Sequence, residues 1–350
     1  MPRTDYLDYE FDLAGSRSKN RFRFEIFWGL SKFLEVVRTS DDFTMVFDYV
    51  CDVEVHYPDN YEFYQVKTSS GVSYPISRLV NKGTKRNSII GTLYKIRSTD
   101  IQKMSNLSKL ALVSNLPLED SNAPTNANIE FLFLDSLQKN KEKIMKALKE
   151  EFPDSEINLN NIVFIRADLT PDNYRELMIG KVDTYYQEIY GHEALKPAAL
   201  LNVLSEEAQY KADYEYALSN HDEVLEKKGL SKNRFEVILE MFSEQAFSES
   251  QRCRDEVKKV EKSLKKIREY SIEIPKLIAE VRKNFFLTSL VEEIKTELID
   301  RIDDFSDGEF LDYARLFLKK TPIVFPIEYN TVQKEILILL SLIKLEEDII

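Results

Sequence analysis

The sequence predicts an α/β domain followed by an all-α helical bundle. Two observations carry this. Up to about residue 171 the signals run helix, hairpin, helix, strand, helix, strand, the succession of an α/β domain. Beyond that point strand signals nearly vanish and long helical patterns take over. The boundary is placed near 200, giving an α/β domain over 1–200 and a helical domain over 201–350. A chain of 350 residues is long enough for two such domains.

Taken in order, residues 1–19 read as a mobile arm ending in GSRSK. Phe22, Ile26, Leu30, Phe33 and Val37 then recur at helical spacing, which predicts a helix from Asn20 to Arg38. Phe43 to Tyr57 is rich in β-branched and aromatic residues and reads as one strand. YPDN, Tyr57 to Asn60, is turn chemistry, and Tyr61 to Thr68 reads as the returning strand. After a polar loop, Ser88–Arg97 reads as a helix, Lys109–Leu116 as a strand, Asp135–Glu151 as a helix and Asn161–Leu169 as a strand. Helical stretches follow at Pro171–Tyr190, Leu195–Ser219, Lys232–Phe247, Glu249–Tyr270 and Pro275–Phe305. Cys253, Val257, Val260, Leu264 and Ile267 step by four and three, a seam suited to one helix of a bundle. Val332–Leu345 is apolar on nearly all sides, so it must be buried in its own bundle or against a partner.

Composition narrows the function classes. The chain is 43% hydrophobic and 31% charged, as in a water-soluble globular protein. No run of eighteen apolar residues exists, and the acidic start lacks the apolar core of a secretory signal. Two cysteines suit a reducing cytosol, so a cytoplasmic protein without membrane contact is expected. Three histidines make a His-rich metal site improbable. Net charge is −12, which argues against a simple DNA-coating protein. Yet residues 1–115 hold 16 Lys+Arg against 14 Asp+Glu, and Lys67 to Arg97 contains seven basic residues and no acidic one. A local basic surface on an acidic protein suits controlled nucleic-acid contact.

The hairpin carries the chemistry. A tight turn at Pro58–Asp59 sets Tyr57 opposite Asn60, hence Asp52 opposite Gln65 and Glu54 opposite Phe63. Facing residues share a face, and alternation adds Lys67 to it. Asp52, Gln65 and Lys67 therefore converge, with Glu54 nearby. Oxygen ligands of this kind suit Mg²⁺. Asp52 and the Gln65 side-chain carbonyl can be ligands, assisted by the Val66 carbonyl, while Lys67 orients or deprotonates water or stabilises a phosphate. Glu25, on the first helix, can supply a second carboxylate; Glu54 is the alternative. The bland reading of the same pattern is a surface hairpin with a salt bridge.

The segments GSRSKNRFRFEIFWGLSKFLEV, FTMVFDYVCDVEV, FYQVKT and SIIGTLYKI occur in order. They resemble the dsDNA-endonuclease domain of CD-NTase-associated anti-phage effectors, a PD-(D/E)xK family. The resemblance covers roughly residues 14–200. It implies a restriction-endonuclease-like mixed sheet flanked by helices and Mg²⁺-dependent cleavage of double-stranded DNA, with Mn²⁺ able to substitute. It implies Asp52 as the motif aspartate, Gln65 as the Q of QxK and Lys67 as the catalytic lysine. Relatives with Q at this place often recruit a helix glutamate, which points to Glu25. Cys51 falls on the opposite face from Asp52 and is read as core packing.

The best-known members end in a sensor domain for cyclic oligonucleotides, whereas residues 200–350 read as a helical bundle. By analogy, the partner is an SMC-like ATPase complex of the Lamassu type or a HerA-type hexameric ATPase. Cutting both strands needs two active sites, so a homo-oligomer is expected in the active state. Arg17, Lys19, Arg21 and Arg23, read as preceding the first helix, and Arg78, Lys82, Lys85 and Arg86, in the loop after the site, are candidate phosphate contacts. Asn87 and Ser88 can cap the next helix, whose N-terminus can also hold a phosphate. The rival readings are an inactive DNA-binding adaptor and a nuclease for RNA or single strands.

Overall fold

The computed structural model describes residues 13–83, 86–98, 107–301 and 308–349. The chain forms two compact units, Met1–Val182 with Leu201–Lys232, and Asp183–Leu200 with Asn233–Ile350. In chain order the elements are α1 (Ala14–Val36), β1 (Thr44–Phe47), β2 (Val53–His56), β3 (Tyr61–Lys67), α2 (Ile76–Val80), α3 (Ile89–Ser98), β4 (Leu107–Ser114), β5 (Glu130–Leu132), α4 (Gln138–Glu151) and β6 (Ile162–Arg166). Then follow α5 (Tyr174–Tyr190), α6 (Pro197–Ala212), α7 (His221–Lys228), β7 (Gly229–Ser231), α8 (Lys232–Glu240), α9 (Glu244–Val260), α10 (Leu264–Lys283), α11 (Phe285–Asp300), α12 (Phe310–Lys320) and α13 (Thr331–Ile349).

The first unit is built on a seven-stranded mixed sheet in the order β5-β6-β4-β3-β2-β1-β7. β3, β4 and β6 run parallel, and the outer pairs are antiparallel. Leu110 to Val113 of β4 are completely buried, as a strand covered on both faces must be. α1 lies on one face, where Trp28 packs 5.1 Å from the Tyr64 ring. On the other face Leu110, Leu112 and Phe164 share a core with Leu79, Leu93, Ile144 and Leu148 of α2, α3 and α4. This is the restriction-endonuclease-like mixed sheet flanked by helices that the resemblance implies.

Several features depart from the sequence reading. The helices expected over Lys232–Phe247 and Pro275–Phe305 are each broken, at 241–243 and at Asn284, and Pro275 lies inside α10. Helix α1 begins at Ala14. Arg17, Lys19, Arg21 and Arg23 therefore lie on the helix and not in an arm before it. The single strand expected over Phe43–Tyr57 is two strands, β1 and β2, joined by a turn at 48–52. Asp48 takes a left-handed φ of 49°, which Asp tolerates better than most residues, and its N–H donates to the Asp52 carbonyl at 3.1 Å. Strands β5 and β7, absent from the sequence reading, complete the edges. The predicted helix over 249–270 is broken at 261–263, between α9 and α10. Ser263 caps α10 by accepting from the Lys266 N–H, and Leu264 is 83% exposed, so the expected seam ends there.

β7 seats against β1 through a close approach that only glycine allows. A Cβ on Gly229 would lie 2.2 Å from the Leu225 carbonyl oxygen and 2.5 Å from Thr44 Cγ2. Gly229→Ala is expected to destabilise the protein by about 1–3 kcal/mol, read as a lower urea midpoint, because backbone must shift to admit the methyl group.

The second unit is all-helical. Ile336 to Leu340 of α13 have no exposed surface and pack with Cys253, Ile278, Ile294 and Phe317 of α9 to α12. The apolar last helix is thus the centre of its own bundle. Each such side chain contributes roughly 1.5–3 kcal/mol by leaving water. Among the described residues no helix is long and apolar enough to cross a membrane.

Candidate active site

The hairpin register is the one the turn dictates. Tyr57 N–H donates to the Asn60 carbonyl at 2.9 Å, and Val53 pairs with Tyr64, Glu54 with Phe63 and His56 with Tyr61. β2 stops at Val53, while β3 continues for three residues, held on its other side by β4 as far as Lys67 opposite Ser114. The sheet therefore forks at the carboxyl end of the parallel strands, a recurrent place for sites in α/β sheets.

Asp52 fills the fork. Its Oδ2 accepts the Val66 N–H at 2.6 Å, Lys67 Nζ at 3.1 Å and the Gln65 side-chain amide. The carboxylate takes the place of a strand partner for Val66 and gathers the two polar side chains of FYQVKT around one oxygen. Lys67 Nζ also donates to the Val66 carbonyl at 3.0 Å. Asp52 Oδ1 and Gln65 Oε1 accept no hydrogen bond from the described residues.

Glu25 reaches this cluster from α1. Burial, reinforced by the Asp52 charge and opposed by Lys67, pushes its carboxyl up to about 8, with Asp48 and Arg21 adding smaller effects of opposite sign. Burial is the larger cause and the neighbouring Asp52 charge adds to it; both disfavour the ionised form. The donor set fits a hard divalent cation: two carboxylates, an amide oxygen and a backbone carbonyl, all oxygen. Among the described residues no group of three Asp, Glu, His or Cys side chains is gathered to hold a metal. Two carboxylates with neutral oxygens and water are what Mg²⁺ uses where substrate phosphate supplies the remainder.

Glu54 is otherwise engaged. It is buried, its Oε1 accepts the N–H groups of Val50 and Cys51 at 2.6 and 3.1 Å, and its Oε2 lies 2.8 Å from His56 Nε2. His56 Nδ1 in turn lies 3.0 Å from His221 Nε2. Glu54 thus fastens the turn that carries Asp52, a role hidden from the sequence because its partners are backbone groups. Cys51 is buried in the core against Tyr74 and Leu118, and burial pushes its thiol well up, as packing and not chemistry requires.

The basic candidates separate. Arg17, Lys19, Arg21, Arg23, Arg78, Lys82 and Arg86 are exposed. Lys85 lies outside the described residues. Arg78 donates to Ser69 Oγ at 2.6 Å and sits 5.6 Å over the Tyr74 ring. On α1, helical geometry aligns Arg17 and Arg21 with Glu25, whereas Lys19 and Arg23 fall about 120° and about 160° from Glu25 round the axis. Ser88 does cap α3, its Oγ accepting the Gly91 N–H at 3.0 Å. The expectation that this N-terminus holds a phosphate is overturned, because the Glu151 carboxylate already accepts the Ser88 N–H at 3.2 Å. A fixed negative charge at that end repels another anion.

The family model of the Cap4 dsDNA endonuclease domain matches residues 13–212, more than half of the chain. The chain belongs to this family. The Cap4 match spans α1, the forked hairpin, and strands β4 to β6, so it contains Glu25, Asp52, Gln65 and Lys67. It supports a dsDNA endonuclease role in anti-phage defence. No curated protein and no solved structure was found to match the chain.

Proposed function

We propose that this chain is a metal-dependent endonuclease that cuts double-stranded DNA with little sequence preference, as the effector of an anti-phage complex. The observation that carries the reading is the convergence of Gln65, Val66 and Lys67 on one oxygen of Asp52, beside Glu25. Asp52 Oδ1, Gln65 Oε1 and the Glu25 carboxylate would hold Mg²⁺, or Mn²⁺ in its place. When bound, the ion supplies Lewis acidity toward the phosphate and acidifies a coordinated water. Asp52 holds the Lys67 ammonium at a fixed place. As an ammonium, Lys67 then stabilises charge on the phosphate and orients the attacking water by donating to its oxygen; only as the neutral amine could it take that water's proton. The fork gives these groups one orientation, so little rearrangement remains for the reaction itself.

Phosphate contact follows the helix register. Arg17 and Arg21 share the face of α1 that leads to Glu25. Double substitution R17A/R21A is expected to weaken DNA binding in Ca²⁺ and to lower the slope of log affinity against log salt by about 1–2. Loss of the Lys19 and Arg23 face, tested as K19A/R23A, should leave that slope unchanged. Equal slopes in both variants would remove the helix face from the interface.

A nuclease of low specificity must be silent until triggered. We place the trigger in a partner ATPase, SMC-like or HerA-type, with assembly of a homo-oligomer as the active state. α13 is consumed by its own bundle, so docking would use other surface of the second unit, where Phe285, Val324 and Ile327 are more than four-fifths exposed. Plasmid incubated with the chain, Mg²⁺ and its neighbouring gene products tests the reading. Linear or fragmented duplex is expected. Cleavage of RNA or single strands alone would transfer the site to another substrate. No cleavage under any activation would favour an inactive DNA-binding adaptor.

A further inference from the structure

The site extends beyond the matched domain, through a buried lysine. Lys228 ends helix α7, which Asn220 caps at its other end by accepting the Glu223 N–H at 2.9 Å. Gly229 follows and lets the chain press against β1. That leaves Lys228 buried, 6% exposed, under the turn that joins β1 to β2. Its ammonium donates to the Asp48 carbonyl at 2.8 Å and to the Ala212 carbonyl at 3.0 Å. No carboxylate forms an ion pair with it among the described residues. Ala212 is the last residue of α6, so the charge sits at the negative end of a helix dipole and satisfies a carbonyl the helix leaves open.

The other carbonyl decides what the lysine does. Asp48 is the residue with left-handed backbone at the start of the turn, and its N–H donates to the Asp52 carbonyl. Glu54 grips the middle of the turn at Val50 and Cys51. Lys228 grips its start. Between them three of the four residues leading to Asp52, namely Asp48, Val50 and Cys51, are tied to the side chain of a buried Lys or Glu. A buried ammonium is costly to desolvate, and a turn alone needs no such anchor. We propose that Lys228 is a positioning residue for Asp52, fixing the 48–52 turn so that the carboxylate stays in the fork.

This rests on the reading of Asp52 as a metal ligand, and it assigns part of the site to a segment that the 13–212 match does not reach. The test is Mn²⁺ binding by the full chain without DNA, followed by electron paramagnetic resonance and calorimetry. Lys228→Met should weaken Mn²⁺ binding by about tenfold or more, the scale seen when a group that orients a ligand is lost. Lys228→Gln, which keeps two N–H donors on an uncharged side chain one bond shorter, should fall between Met and wild type. Wild-type affinity in both variants overturns the proposal; if Lys228→Met fails to fold, wild-type affinity in Lys228→Gln alone does so. Asp52→Ala separates the two readings. If it binds Mn²⁺ as the wild type does, the metal assignment itself fails. If it loses the ion while both Lys228 variants keep it, only the positioning role fails.

Discussion

Lys67→Ala should lower duplex cleavage by about 10²–10³-fold or more while the protein folds and binds DNA in Ca²⁺ as before. Lys67 is the one ammonium hydrogen-bonded to Asp52 among the described residues, and it is also held by the Val66 carbonyl. On the proposed reading, removing it takes away the positive charge that would face the phosphate. The side chain is 31% exposed at the end of β3, so little packing is lost. The complementary change, Asp52→Ala, should cut as deeply, since it leaves the Val66 N–H, the Gln65 amide and Lys67 without their shared acceptor. Lys67→Arg is not expected to rescue, because a planar guanidinium cannot take the place of a compact ammonium between two oxygens. Cleavage at the wild-type rate by Lys67→Ala, measured on plasmid under the same activation, would dismiss the site.

The second large effect belongs to Glu25. Its carboxyl is raised from an ordinary 4.5 to about 8, first by burial and then by the Asp52 charge. The folded chain therefore holds this proton more tightly than the unfolded chain does. The sign follows from linkage. The stabilisation is complete below the unfolded value of 4.5 and is lost as pH rises through about 8. In chelator, the urea midpoint of the wild type should fall more steeply than that of Glu25→Gln across that range. Asp52, Lys67, Asp48 and Arg21 face the same group, so the comparison with the amide variant isolates its share. A divalent cation favours the ionised form, hence Mn²⁺ affinity should rise with pH up to about 8 and should drop in Glu25→Gln. Parallel stability curves for the two proteins would show that Glu25 does not titrate here.

Local rules made much of the site legible. YPDN leaves few ways to close the hairpin, and side chains alternate with period two, so the register that aligns Asp52 with Gln65 follows from a turn and a count. The stripe on α1 likewise located the helix, although its start lies six residues earlier than the apolar spacing suggests. The splitting of Phe43–Tyr57 into β1 and β2 was not legible. Tyr49 and Val50 look like strand residues, and the chain bends there through bonds from Asp48 to Asp52, from Tyr49 to Cys51, from Val50 and Cys51 to Glu54 and from Lys228 to Asp48. Glu151 at the N-terminus of α3 is the same kind of case, with 63 residues between donor and acceptor.

What the sequence determined by itself is the hairpin, its register and the identity of the groups it presents, because turn chemistry and alternation act over a few neighbouring residues. The tertiary structure decided which of those groups stay free. It turned Glu54 inward, brought Glu25 beside Asp52, and carried Lys228 and β7 across 180 residues to the turn at Asp48. Burial and long-range hydrogen bonds depend on what the folded chain lays alongside each residue, and no pattern in its immediate neighbours records that.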